Sequence, residues 1–325
     1  MKRSARGRSL GDAARAGMVA AALGGGWGTW GGGCARHDAR APSGSTPVVA
    51  VTEARAESGA APIEVRPAAR DAREFVPSVH GFPFVNSFRG AMLGASLKGL
   101  TDRLSMPETF GLCGGMSAAA ADFFLARRTV PGGNSPPPEG SPLYDYLFRR
   151  QSDSLGPGWA VGLTYLEWMQ MADDPPPGAD PARDIRARTA AELRGIRSRL
   201  DAGELVVLGL VYSRAGPGGG AVWDNHQVLA FRVESNAKEG SWDFRIYDSN
   251  YPGNDGVLVR VTPAIMPGGG GGGGGGSGDA RAAAHSGIPD RVACARLAPG
   301  HRPKVVRGVF AMPYVRNEPP DELFR

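Results

Sequence analysis

Cysteine is scarce in this chain of 325 residues: Cys34, Cys113 and Cys294 are the only three. They are too scattered for a zinc motif, and no pair among the five histidines has ligand spacing, so neither a metal site nor a cofactor is expected. So few cysteines require no disulfide framework. Internal repeats are lacking too. Basic residues form no stripe with interleaved aromatics, so nucleic acid is not an expected partner. The formal charge of +5 is largely a property of residues 1–33, where Lys2, Arg3, Arg6, Arg8 and Arg15 face one acid, Asp12; the remainder carries 32 basic and 31 acidic residues.

Glycine (49) and proline (27) are abundant instead, but they cluster, which reads as loops and linkers around an ordinary core. At the amino end, a positive region to Arg15 precedes an uncharged stretch from Ala16 to Ala35 with small residues at its end. That order is that of a secretory signal over residues 1–33, and its many glycines make a poor permanent transmembrane helix. "GGGC" resembles the bacterial lipoprotein signal, which would make Cys34 a lipidation site and the chain's only link to a membrane; Gly31 stands where that motif usually has Leu. Export to the cell envelope or the medium is the expectation. Residues 34–73 hold few large apolar side chains and read as a disordered tether. The folded domain is expected over 74–325.

Within that domain, helical signals come first and strand signals later, which predicts a single α+β domain. Helices are expected over 113–128, 141–154 (Ser141-Pro142 as cap and first turn), 160–172 and 180–203. Strands are expected over 205–212, 226–234, 242–250, 256–262 and 303–314. Nine glycines, Gly268–Gly276, interrupt the strand region without the Lys-Ser or Lys-Thr of a phosphate loop. They read as a flexible surface insertion, at 267–287 with its flanks, because closure entropy grows slowly with loop length.

"ETFGLCGGMSAAAADFF" puts Cys113 where a glycine-rich turn meets a helix start. Unpaired N–H groups and the helix dipole both stabilise a thiolate there, and the same N–H groups can receive an oxyanion. A nucleophilic thiol needs a base. His37 lies in the tether, His80 before the main elements, His285 and His301 in or beside the glycine-rich insertion. His226 alone opens an apolar strand, "HQVLAFRV". A hairpin through "SNAKEGS" brings residue 226 opposite roughly residue 250, so Asp248 or Asn250 is placed to orient the imidazole. One conflict stands: apolar residues are odd-numbered on the first strand (Leu229, Phe231, Val233) and even-numbered on the second (Trp242, Phe244, Ile246). A bulge, or a first strand buried on both faces, would reconcile them.

"GLCGGMS", "HQVLAF" and "YDSNYPG", in the order Cys, His, Asp or Asn, resemble the papain-like cysteine peptidase superfamily, and within it the bacterial double-glycine-leader peptidase group. The match spans roughly residues 75–315 in order and architecture. The resemblance implies a helical part with the cysteine at a helix N-terminus, then an antiparallel sheet carrying His and Asp. It also implies Cys113 as nucleophile, His226 as base and then acid, Asp248 as orienting group with Asn250 as rival, and a peptide or protein substrate. Those families carry Gln six residues before the cysteine as oxyanion donor; here that residue is Pro107, leaving Asn86 or Asn225 as substitutes. Two other readings use the same chain: acyl transfer to an amine, as in transglutaminases, and a non-catalytic binding lipoprotein on a degenerate peptidase fold.

Overall fold

A run of small residues decides how the helical layer meets the sheet. The computed structural model describes residues 70–89, 109–157, 160–176, 178, 180–264 and 287–325. The leader, Cys34, most of the tether, Pro107, His285 and the glycine run lie outside the described residues. Those described belong to one unit, Ala68–Arg325.

Five α-helices occur among them: α1 (Pro77–His80), α2 (Cys113–Leu125), α3 (Pro142–Ser154), α4 (Ala160–Gln170) and α5 (Ile185–Asp201). Helix α2 is buried from Gly114 to Phe124, its polar Ser117 and Asp122 included. A Cβ on Gly115 would lie 2.1 Å from the Leu147 carbonyl oxygen of α3, and one on Gly114 would lie 2.0 Å from Gln227 Oε1 on the sheet. The two glycines therefore let α2 sit closer to both neighbours than any side chain permits. Helix α3 is capped by Ser141, whose side chain accepts from the Tyr144 N–H, as expected. Helix α5 begins later than the Asp180-Pro181 pair suggests: Pro181–Arg183 forms a separate 3-10 turn, and Asp184 caps the helix by accepting from the Arg186 and Ala187 N–H groups.

A short ladder, β1 (Phe88–Arg89) with β2 (Thr109–Phe110), precedes α2. Seven further strands make one antiparallel sheet: β3 (Val206–Val211), β4 (His226–Asn236), β5 (Ser241–Tyr247), β6 (Leu258–Pro263), β7 (Val292–Leu297), β8 (Lys304–Val306) and β9 (Gly308–Ala311). Their order is β8-β7-β6-β5-β4-β3-β9. The expected single strand over 303–314 is thus two strands at opposite edges, separated by one residue. The sheet curls until its ends meet at Arg307, whose guanidinium bonds Asp173, the Ser213 carbonyl and the Met171 carbonyl. Strand β7, in "RVACARL", is not anticipated from the sequence.

One sheet face holds Leu208, Val228, Phe244, Val259 and Val309 against Leu193, Ile196 and Leu200 of α5. The other holds Val207, Leu229 and Tyr247 against Met116, Phe124 and the aromatics of the amino-terminal segment. Strand β4 is buried on both faces from His226 to Phe231, and its register with β5 shifts between Ala230 and Arg232. Both devices that could reconcile the odd and even apolar sets are therefore present. Before the bulge Ala230 faces Ile246; after it Val233 faces Phe244.

The amino-terminal segment is pinned across this layer. Ala72, expected in the tether, is fully buried and its N–H donates to the Gly203 carbonyl. Ser78 donates to Asp255 through both N–H and Oγ at 2.8 Å, and Asn86 N–H reaches the Ser249 carbonyl. Because the atom facing Gly115 is backbone, Gly115→Ala is expected to cost about 1–3 kcal/mol by overpacking. Urea denaturation followed by circular dichroism measures this, with Gly162→Ala, where a Cβ meets nothing within 4 Å, as the unobstructed control.

Candidate active site

Cys113 is the first residue of α2, and the N-cap residue Leu112 provides no side-chain cap. Gly115 N–H is taken by Gln151 Oε1 at 3.0 Å, whereas the earlier first-turn N–H groups have no partner within the helix. Cys113 as a residue is half-buried. Burial opposes its ionisation, but a hydrogen bond to the His226 side chain, the charge of that ring and the N–H groups of Gln227 and Gly114 outweigh it. The net result is a thiol pKa below its ordinary value.

His226 opens β4, paired with Leu210 of β3, and is buried. Its carbonyl accepts from the Tyr165 hydroxyl at 3.0 Å. Its Nε2 lies 2.7 Å from Asp248 Oδ1, which leaves Nδ1 for the sulfur. Desolvation works against the charged ring, yet Asp248, followed by Cys113, raises its pKa to about 10. Asp248 follows β5 and is almost wholly buried. Burial alone would raise its pKa, but His226, Arg296 and the Asn250 N–H hold it below the usual carboxylate value. His226 thus interacts with both the sulfur and the carboxylate, and the directions of the two shifts favour a thiolate beside an imidazolium.

Of the two candidates for the third position, Asp248 makes the shorter contact with the ring. The Asn250 amide nitrogen is 3.3 Å from the same Nε2, while the Asn250 backbone N–H donates to Asp248 Oδ1 at 3.0 Å. Asn86 also reaches the site. The β1–β2 register pairs Phe88 with Phe110, and continuing it two residues sets Asn86 opposite Leu112. Asn86 Oδ1 accepts from the Leu112 N–H at 2.6 Å, and its amide nitrogen turns toward Asn250 Oδ1, 3.5 Å away. A Cβ on Gly111 would come within 2.7 Å of that nitrogen, so the glycine makes room for it. Asn225 is different: its oxygen accepts from the Tyr212 and Ser213 N–H groups and its nitrogen donates to the Val222 carbonyl. Both ends serve the turn before β4, so Asn225 is withdrawn as an oxyanion donor.

His80 packs between Phe75 and Phe124, and His301 lies against Tyr251. Neither is the partner of Cys113. Cys294 is buried on β7, and burial pushes its thiol up to about 12. Sequence reasoning missed Arg296, whose Nη1 donates to Asp248 Oδ2 at 2.9 Å. The signal was present, since Val292, Cys294 and Arg296 alternate along "RVACARL" and all three are buried, but a charged residue at the third inward position hides the pattern.

Among the described residues no group of three or more His, Cys, Asp or Glu side chains is placed to hold a metal ion. No described helix is long and apolar enough to cross a membrane. Comparison with family models, curated proteins and solved structures returns no match.

The two pKa directions set an expected pH dependence. Iodoacetamide should alkylate Cys113 at a pH below that at which an ordinary thiol ionises, about 8.5, because the imidazolium stabilises the thiolate. Above about 10 the ring loses its proton and this stabilisation ends. Peptide mapping by mass spectrometry across pH reads both limits. Cys294, with its raised pKa, should stay unlabelled until the protein is unfolded.

Proposed function

We propose that this chain is an exported, papain-like cysteine hydrolase acting on acyl groups of peptides or proteins. The reading rests on one observation. Three side chains far apart in sequence come together: His226 is hydrogen-bonded to Asp248 and interacts with Cys113, whose sulfur sits at a helix start. A helix carrying the cysteine, packed on an antiparallel sheet whose strands bring the histidine and the acid, supports the papain-like assignment. The leader at residues 1–33 supports export.

In this mechanism the Cys113 thiolate attacks the carbonyl carbon of the substrate and the carbonyl electrons move to oxygen. The oxyanion is met by the Cys113 N–H and by the Asn86 amide, which stands in for the glutamine that the resemblance calls for at Pro107. Collapse of the intermediate breaks the C–N bond as the His226 imidazolium gives its proton to the leaving amine, and a thioester remains on Cys113. Neutral His226 then takes a proton from water, the hydroxide displaces the thiolate, and the carboxylic acid leaves. Asp248 holds the ring with Nε2–H toward itself and stabilises the imidazolium throughout.

Acylation and alkylation separate these roles. Cys113→Ala should abolish both, and His226→Ala should slow both. Asn86→Ala should slow acylation by p-nitrophenyl acetate, which builds an oxyanion, by about 100-fold, while alkylation by iodoacetamide, which builds none, changes no more than severalfold. Stopped-flow release of p-nitrophenol and mass spectrometry give the two rates. Wild-type alkylation indifferent to His226→Ala would count against a catalytic pair and in favour of a binding role.

A further inference from the structure

Asp248 does not serve His226 alone. Its Oδ1 faces the ring and the Asn250 N–H, and its Oδ2 takes a hydrogen bond from Arg296 Nη1 at 2.9 Å. Arg296 comes from β7, two strands away from β5, and is 8 % exposed. Its other nitrogen donates to the Tyr251 hydroxyl at 2.8 Å, and its guanidinium lies 4.8 Å from the Tyr251 ring centroid and 6.0 Å from that of Tyr212. It is therefore fixed on two sides with its charge directed at the carboxylate. A burial this deep is costly for an arginine unless the ion pair it makes is needed.

We infer that Arg296 is a positioning residue of the site, a fourth member behind Cys113, His226 and Asp248 that balances the charge of the acid. With it, the ion-pair state contains two anions, Cys113 and Asp248, and two cations, His226 and Arg296, and sums to zero. Without it, that state would carry a buried net negative charge, which opposes the thiolate and makes the imidazolium hold its proton more tightly. Arg296 thus keeps the thiol ionised and keeps the imidazolium acidic enough to protonate a leaving group. The inference rests on the hydrolase reading above.

The charged and titratable groups around the thiol, the ring and the acid are Cys113 from α2, Tyr165 from α4, Tyr212 following β3, His226 from β4, Tyr247 and Tyr251 from β5 and the turn after it, Arg296 from β7 and Lys304 from β8, with Asp224 beside Lys304. Lys304 projects over the Tyr212 ring, 3.7 Å from its centroid. It has no direct bond to Asp248 in the structure, so it serves as the comparison cation.

Arg296→Gln keeps a donor for Asp248 but removes the charge; Arg296→Lys keeps the charge. The pH dependence of Cys113 alkylation by iodoacetamide is measured on each folded variant. Removing a cation raises the pKa of every acid near it, so in Arg296→Gln both the rise and the alkaline break should move upward, by about one pH unit. Arg296→Lys should return both toward wild type, and Lys304→Gln should move them less than Arg296→Gln does. A merely structural role would lower the melting temperature of Arg296→Gln and leave the pH limits where they are, and that result overturns the inference. Should Arg296→Gln not fold, Tyr251→Phe, which releases one end of the guanidinium, takes its place: a smaller upward shift supports the inference and unmoved limits overturn it. A wild-type profile with one rise at ordinary thiol pH, unaffected by His226→Ala, instead overturns the hydrolase reading itself, and this inference with it.

Discussion

The closeness of α2 to its neighbours is the constraint on which the site depends. Cys113 can meet His226 only if the helix start lies against the first residues of β4, and side chains on the first turn would prevent that. Gly114 leaves room for Gln227, the residue after the histidine, and Gly115 leaves room for the backbone of α3. Four alanines, Ala118–Ala121, continue the same economy of volume along the buried helix. Glycine usually weakens a helix, and alanine, though a strong helix former, gives little volume for packing. Here they give the sulfur its position, and the apolar bulk comes from Phe123 and Phe124 at the far end of α2 and from Phe75 and Phe82 of the amino-terminal segment.

Ionic groups in such a setting are held by mutual neutralisation. Asp122, fully buried, receives Arg150, the Tyr146 and Tyr314 hydroxyls and the Asn317 N–H. That network ties the carboxyl-terminal segment to α2 and α3. Asp248 is treated the same way, with one difference: one of its partners, His226, is a titratable ring that also faces a thiol, to which a proton can pass. A buried carboxylate with only fixed partners is structural, and one sharing a titratable ring with a thiol can take part in chemistry.

Much of this was legible in the sequence. Ser141-Pro142 announced α3 because a cap followed by proline has few other uses, and the alternation in 226–234 and 242–250 announced a hairpin whose geometry led from His226 to Asp248 and Asn250 without choosing between them. The conflict of odd and even positions told of a bulge or double burial, and both occur. Other features left no local trace. The division of 303–314 at Arg307 depends on contacts with Asp173 and with two carbonyls far off in the chain. Arg296 looks like an ordinary charged residue until the register of β7 sets it behind Asp248. Asn86 owes its place to a two-residue ladder, too short to be read from a pattern. Long-range register, more than local propensity, is what the linear sequence conceals.

Arg307 carries a consequence for the molecule among its fellows. Sheet margins with unpaired N–H and C=O groups recruit strands from other chains, and natural proteins blunt them by keeping them short. The outermost strands here are three and four residues long and succeed each other directly in the chain, joined through one arginine clamped on three oxygens. The corner that guards against intermolecular pairing is also the flank of the candidate site: Lys304 of β8 pairs with Arg296, and Val309 of β9 pairs with Leu210, which faces His226 on its other side.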